Sequence, residues 1–444
     1  MPKTAKQCFW MIVLVLLVAC RTVPPASPTI SAPTFTLIQP TGVLASTVTP
    51  TFRPEIGVKI NCLEIQPTFP QKTNLNGILA LAPDNDDPMY EGFFLNLKTG
   101  EKTLLRGGDT QVLSSASVSP NGKLLAYFLM TEKPYMARLV IMGINGNPML
   151  DRVVSGHDWF DMVGWVDNRQ LMFDRYEWDS GSNYLVRPLD AILYNPFEKT
   201  QKELLSDFPG IWTLESPHWN EFSLIEASYD PTLSYVVYPQ NGPKLVLWDL
   251  QQKQQIAAFD TNVFFGSAPR WSPDGQKFLT HNSIESDQSG ATDNTRQELY
   301  SIDTKGNVQQ LTHLATLYER AQITKYSWSP DGRLVAFWIR TEPDNYPGSS
   351  SNANHPFRLA ILDLQTQLVT NYCLSGDVTA LNPKGGIIGN SPNTPIWSPD
   401  SSSLLIHAPN GEKNGMTVLV DIEQGSAFQI ADNMLPIGWL VSEP

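Results

Sequence analysis

The sequence predicts an all-β protein: a β-propeller, counted as seven four-stranded blades, closed by the C-terminal strand. Three observations carry this. A turn motif recurs as Val118-Ser-Pro-Asn-Gly122, Trp271-Ser-Pro-Asp-Gly275, Trp328-Ser-Pro-Asp-Gly332 and Trp397-Ser-Pro-Asp400, each time followed by an apolar run rich in β-formers. A second punctuation, an Asp or Asn closing an apolar run before a tight polar turn, recurs at Asn96, Asn195, Asp249, Asp303, Asp363 and Asp421, with Gly143 in its place in the second unit. The first and last units can be laid against each other, and the chain ends on Ile437-Gly-Trp439-Leu440, a lone strand. A strand–turn–strand unit repeated every few dozen residues signals a repeat architecture.

The N-terminus reads as a targeting segment over 1–20. Lys3 and Lys6 precede an unbroken apolar run from Phe9 to Val18, and Leu17-Val18-Ala19-Cys20 closes it. The run is short for a bilayer span. The pattern resembles a bacterial lipoprotein signal, in which cleavage frees the cysteine, here Cys20, for lipidation. The other reading is an ordinary secretory signal with a chance cysteine. Residues 21–54 are rich in Pro, Ser and Thr with almost no charge, a composition that builds an extended tether rather than a core. The propeller is assigned to 55–444. A single core of that size normally splits, but blades pack only on their neighbours and escape the limit.

Within each unit, Pro presets φ at the second turn position, Asp or Asn suits the third and Gly the fourth. The motif therefore joins two antiparallel strands, A and B. The Asp or Asn that closes the third strand can cap the amides of the next turn, between C and D. B strands are expected near Gly77, Leu124, Leu171, Leu233, Phe278, Leu334 and Leu404. The third and fourth units are degenerate: Trp165-Val-Asp-Asn and Tyr229-Asp-Pro-Thr stand where the motif belongs. The first unit has no strand A of its own, so the C-terminal strand is expected to complete it; an open edge would invite aggregation. These motifs, above all the three Trp-Ser-Pro-Asp copies, resemble the TolB-type, WD-repeat-like propeller repeat over about 75–444. The resemblance implies a fold and no catalytic residue. The α/β domain of TolB itself is not evident.

Net charge is −13, and loss of the first twenty residues would make it two units more negative, since Lys3 and Lys6 go without any acid. That argues against nucleic acid as a partner. No basic run suggests direct lipid binding, so contact with a membrane is expected through the Cys20 lipid alone, at an extracytoplasmic site in a bacterial cell envelope. Cys62 and Cys373 are either a disulfide, stapling the incoming segment to the sixth blade, or two buried thiols; sequence separation does not decide.

In a four-stranded blade the A–B and C–D turns share one face, and the B–C and D–A connections share the other. Here the first set is short throughout, while the second contains the long segments 282–296, 341–357, 208–225 and 374–394. Variable loops on one rim are where scaffolds carry binding residues. The candidates there are aromatic: Trp159, Tyr176, Trp178, Trp212, Trp219 and Tyr346, with Phe160, His218, Phe264 and Phe265 beside them. Such rings stack on sugars or anchor a protein partner, but packing between blades also consumes them. Asp84, Asp86, Asp87 and Glu91 lack calcium-loop spacing, and the six histidines lack zinc-type spacing, so no metal or cofactor is expected. His281 and His407, in B strands, read as structural.

There is no Gly-x-Ser-x-Gly elbow and no glycine-rich phosphate loop. The leading expectation is a lipid-anchored binding or scaffold module for a protein or glycan. The alternative is a carbohydrate-active hydrolase using carboxylates near the axis, with Glu177, Asp179, Glu226 and Asp287 as acids in connections.

Overall fold

The computed structural model describes residues 57–67, 77–83, 92–105, 113–130, 136–155, 159–179, 184–203, 228–240, 244–260, 269–283, 296–318, 320–342, 356–376, 393–410 and 414–441. The chain enters through two short strands, β1 (Gly57–Ile60) and β2 (Ile65–Gln66). Blade 1 takes β3 (Ile78–Pro83), β4 (Phe93–Asn96) and β5 (Lys102–Leu104); blade 2 takes β6 (Leu113–Val118), β7 (Leu124–Met130), β8 (Met136–Gly143) and β9 (Pro148–Ser155). Blade 3 is β10 (Trp159–Trp165), β11 (Leu171–Asp179), β12 (Tyr184–Asn195) and β13 (Thr200–Glu203). Blade 4 is β14 (Ser228–Tyr229), β15 (Tyr235–Gln240), β16 (Lys244–Asp249) and β17 (Gln254–Asp260). Blade 5 is β18 (Arg270–Trp271), β19 (Lys277–Ser283), β20 (Gln297–Asp303) and β21 (Val308–Gln310). Blade 6 is β22 (Arg320–Trp328), β23 (Leu334–Glu342), β24 (Arg358–Asp363) and β25 (Leu368–Ser375). Blade 7 is β26 (Ile396–Trp397), β27 (Ser403–Asn410), β28 (Asn414–Asp421) and β29 (Ser426–Asp432), and β30 (Met434–Leu440) then returns to blade 1.

Seven sheets follow, and in blade 1 the order is β30-β3-β4-β5. The C-terminal strand is thus strand A of the first blade, antiparallel to β3 from Ile78↔Leu440 to Pro83↔Met434. The ring closes where the sequence predicts. B strands begin within two residues of their expected starts. The largest departure is in blade 4, where β15 begins at Tyr235 because Leu233, with φ 55°, is spent as the left-handed fourth residue of the turn.

The core is a set of slabs between neighbouring blades rather than one centre. Ile78, Phe94, Leu125 and Tyr127 fill the junction of blades 1 and 2; Phe128, Ile141, Leu171 and Phe173 that of 2 and 3; Met172, Leu193, Val236 and Trp248 that of 3 and 4. Val237, Leu247 and Phe278 join blades 4 and 5; Leu279, Tyr326 and Phe337 join 5 and 6; Trp338, Leu359, Leu404 and Val418 join 6 and 7; Leu79, Phe93, Leu405 and Trp439 join 7 and 1. Alternation along each B strand sends one set of side chains to the preceding blade and the other to the next, so both faces of every blade are apolar. Each such side chain contributes about 1.5–3 kcal/mol on burial.

The recurrent tryptophan has a second task. Its indole Nε1–H donates to a carbonyl of the preceding blade's inner strand: Trp165 to Ser117 (3.0 Å), Trp271 to Ser228 (2.9 Å), Trp328 to Arg270 (2.9 Å), Trp397 to Ser327 (3.3 Å) and Trp439 to Ile396 (3.4 Å). Val118 and Tyr229 hold the equivalent place in blades 2 and 4.

The turns behave as their residues dictate. Ser329 Oγ donates to Asp331 and accepts from the Leu334 amide, and Ser119, Ser272 and Ser398 repeat this with Asn121, Asp274 and Asp400. In blade 4, Asp230 replaces that serine and takes the amides of Thr232, Ser234 and Tyr235. In the C–D turns the carboxylate or amide oxygens of Asn96, Asn195, Asp249, Asp303, Asp363 and Asp421 accept amides two to four residues on.

One feature has no counterpart in the repeat. β1 adds to the outer edge of blade 6, parallel to β25, and β2 adds to that of blade 7, parallel to β29. Val58 packs into the slab between blades 5 and 6, and Leu63 and Ile65 into that between 6 and 7. Between the two strands, Cys62 is joined to Cys373 of β25, Cα to Cα 4.8 Å. This belt caps two outer strands whose backbone groups would otherwise stand open.

Candidate functional site

The faces of the ring differ. On one, every A–B and C–D connection is a tight hydrogen-bonded turn, and neighbouring turns touch: the Asn121 amide donates to Asn168 Oδ1, and the Asp331 amide to Ser401 Oγ. On the other, strands are joined by 84–92, 204–227, 284–296, 343–357 and 376–395, the segments that vary most in length. The long-connection face is the candidate site.

Of the aromatic candidates, Trp159 opens β10, the inner strand of blade 3, and lies in register with Tyr176 of β11. Trp178, two residues further along β11, is paired with Leu185. The backbone therefore brings Trp159, Tyr176 and Trp178 to one end of blade 3, on the long-connection face, where β11 and β12 extend as a hairpin. Glu177 and Asp179 belong to the same strand end. Trp212, Trp219 and Tyr346 lie outside the described residues, as do Cys20, His218, Glu226, Asp287 and the acidic stretch 84–91. The inner strands, as described, contain one acid, Asp161. A carbohydrate-active hydrolase needs two facing carboxyls, and the inner strands by themselves do not supply the pair. Among the described residues no three His, Cys, Asp or Glu side chains are grouped to hold a metal ion.

His281 and His407 are both buried within blade junctions. His281 meets Tyr326 edge-on, ring centroids 5.8 Å apart, and burial lowers its pKa to about 4, so it is neutral near pH 7. Its Nδ1 has no hydrogen-bond partner among the described residues.

One wall of the face is built by a residue the sequence did not single out. Glu298, fully buried near the start of β20, accepts from Thr312 Oγ1 (2.5 Å) and from the amides of Leu314 (2.9 Å) and Ala315 (2.7 Å). These donors belong to the connection between blades 5 and 6, which forms a turn of 3-10 helix at Leu314–Thr316. Three donors satisfy a carboxylate that would be costly if buried alone. Arg296 Nη2 donates to Ala315 O (3.3 Å), clamping the same turn, and Gln297 Oε1 accepts the Ile323 amide. The connection thus presents Leu317, 46% exposed, and half-buried Tyr318 at the rim. Burial raises the Tyr318 pKa, and the charge of Arg358 opposes it. The sequence offers little signal, since Glu298 is one of several polar residues in Gln-Glu-Leu-Tyr-Ser-Ile-Asp.

The fold and its two unlike faces define a seven-bladed β-propeller of the repeat-scaffold class. No family model and no curated protein matches the chain. Solved structures do. An oligogalacturonate lyase in complex with manganese aligns with TM-score 0.50 at 15% identity, over 82% of this chain and 91% of the lyase. TolB from Acinetobacter baumannii aligns with TM-score 0.40 at 14% identity, over 82% of this chain and 67% of TolB. The Cps50 (Swd1) β-propeller domain of Myceliophteria thermophila aligns with TM-score 0.44 at 11% identity, over 81% and 99%. TolB and a WD-repeat-type propeller thus stand among the structural neighbours, a likeness of fold.

Proposed function

We propose that the protein is a binding or scaffold module of the bacterial envelope, held by a lipid at Cys20 and engaging a protein or glycan through its long-connection face. The observation that carries this reading is the asymmetry of the ring. The short face is closed by turns that bond to one another, while the other face collects the long connections, an ordered wall at blades 5 and 6, and the strand end bearing Trp159, Tyr176 and Trp178. A rigid scaffold with variable loops on one rim is how propellers and sandwiches present recognition surfaces. The oligogalacturonate lyase among the neighbours supports glycan as a partner class only at the level of fold.

The test replaces 284–295 and 343–355 by short Gly-Ser turns in the full chain and compares retention of envelope proteins and arrayed glycans with the parent. Loss of binding is the expected result; unchanged binding would place the site elsewhere. In the same fractionation, Cys20→Ser moves the protein from membrane to soluble fraction if the lipid is there. Unchanged partitioning would remove the anchor from the proposal.

A further inference from the structure

The belt is held lightly apart from its bridge. Among residues 57–67 none is buried: Val58, Leu63 and Ile65 are half-buried at the margins of two slabs, while Lys59, Ile60, Glu64 and Gln66 are exposed. Its backbone follows β25, and beyond the end of β1 the Asn61 amide donates to Asn371 O (2.8 Å) and the Leu63 amide to Tyr372 O (3.1 Å). On blade 7 it pairs through the two-residue β2. Ordering a chain costs conformational entropy at every residue, and an edge segment with no buried side chain offsets little of it.

Two features single out the bridge. First, β25 bulges where the belt leaves it. Arg358 pairs with Ser375 and Ala360 with Asn371, so Tyr372, Cys373 and Leu374 stand opposite Leu359 alone. Within the bulge Cys373 takes a left-handed backbone, φ 59°, with its amide bonded to Asn371 Oδ1 (2.9 Å). A residue with a Cβ keeps that conformation where its surroundings impose it; here the bulge brings Cys373 to Cys62, Cα to Cα 4.8 Å. Second, Cys62 is exposed and Cys373 half-buried, so the bridge stands within reach of a thiol arriving from solvent. Exposed bridges belong to the labile class, whereas shielded structural ones resist exchange. Closure of the ring is separate from the belt: it is made by β30 on β3, and the slabs are built from blade residues with the belt only at the margin of two of them.

We propose that the Cys62–Cys373 bridge is a thiol-reversible latch: exchange with a dithiol reductant releases the belt, residues 57–66, from blades 6 and 7 while the ring stays closed. A thiolate of the dithiol attacks Sγ of Cys62, the S–S bond breaks, and the Cys373 thiolate leaves and takes a proton. The second thiol then attacks the mixed disulfide and frees Cys62. The bridge gains two electrons and two protons, and the dithiol becomes a disulfide. Release bares the outer edges of β25 and β29 and adds ~35 Å of extended chain ahead of β3, at about 3.3–3.6 Å per residue. The latch therefore sets how far the ring stands from the chain that precedes Gly57. It depends neither on the lipid nor on the partner class.

The experiment treats the folded full chain with dithiothreitol, alkylates the free thiols and maps them by mass spectrometry, and follows amide hydrogen exchange in the belt and in the ring. Adducts appear at Cys62 and Cys373 on reduction, the belt amides exchange about ten-fold faster or more, and those of β3 and β30 exchange as before. Oxidised glutathione restores the protection. Cys62→Ser exchanges its belt amides fast without dithiothreitol and does not respond to it, which separates this bridge from the other cysteines. Circular dichroism checks that the variant is folded. Adducts at both positions before any reductant overturn the proposal, as does their absence after reduction of the folded protein. Two adducts with belt exchange unchanged show a bridge that latches nothing. Faster exchange of β3 and β30 together with the belt shows a bridge that holds the ring itself, and overturns the proposal equally.

Discussion

At the scale of single residues, the turn motif shows how a side chain fixes backbone direction. The serine accepts the first amide of strand B and donates to the Asp or Asn two residues on. The fourth position then turns through the left-handed region, at φ 69° for Gly122 and 70° for Gly332. These glycines separate two effects. A Cβ on Gly332 would meet nothing within 4 Å, so Gly332→Ala bears only the left-handed backbone cost, about 1–2 kcal/mol. A Cβ on Gly122 would lie 2.7 Å from Val441 Cγ2 and 3.2 Å from the Val441 amide, which donates to Gly122 O. Gly122→Ala should therefore destabilise clearly more than Gly332→Ala in urea unfolding; equal losses would refute the steric part.

His281 gives the acid dependence. Its pKa is about 4 in the folded protein against roughly 6.5 when unfolded. The folded state holds it neutral, so the unfolded state binds more protons between those values. Its contribution is fully present above about pH 6.5 and is lost as pH falls toward 4, by about 3 kcal/mol at 1.36 kcal/mol per unit. Phe128 occupies the same strand position in blade 2, which makes His281→Phe the natural control. Unfolding at pH 7 and pH 4.5 should show a smaller loss for the variant than for the parent, and a parent flat over that window would sink the assignment. Below that window the turn acids follow. Hydrogen bonding from Ser272 holds Asp274 below its usual range; for Asp331 and Asp400 burial pushes upward, but the serine and amide donors outweigh it.

At the scale of elements, strand identity was legible because the turn chemistry is local, and each Pro-Asp-Gly announces its own strands. The belt was not legible. Gly57–Ile60 pairs with residues more than three hundred positions away, and nothing in its alternation says whose edge it joins. The inter-blade role of Trp165, Trp271, Trp328, Trp397 and Trp439 was hidden for a related reason. The indole's partner is a backbone carbonyl of the previous blade, which leaves no mark on the sequence. Covalent closure of the belt has a measurable weight. Cys62→Ser, or reduction of the parent, should lower stability by about 3–5 kcal/mol, given the long loop it closes. Urea unfolding with and without reductant reads it, and no shift would mean the two thiols are not bridged in solution.

At the scale of the whole molecule, seven apolar slabs make a ring in which no blade is stable by itself and each is held from both sides. Five junctions add an indole hydrogen bond. The junctions of blade 1 with 2 and of blade 3 with 4 carry Val118 and Tyr229 instead. At the first, Val118 packs so closely on Gly438 that a Cβ there would lie 2.7 Å from it. The long-connection face was legible as a pattern of connection lengths, because insertions are tolerated only where no turn geometry forbids them. The chemistry on that face was not, because half of the aromatics named from sequence fall in the connections themselves, while Glu298 sits on a strand that looks like ordinary scaffold.

The belt also sets a load path. Gly57 lies opposite Leu368, the first residue of β25, on the side of the tight turns, and β1 runs parallel to β25 from there. A pull on the chain upstream of Gly57, away from that side, draws β1 lengthwise along its partner. Its hydrogen bonds are then stressed together in shear rather than opened one by one. The Cys62–Cys373 link stops any slippage two residues past the strand. Tension arriving from the N-terminal side is discharged into the outer edge of blade 6 and does not reach β3, so the ring and the long-connection face opposite keep their geometry under strain.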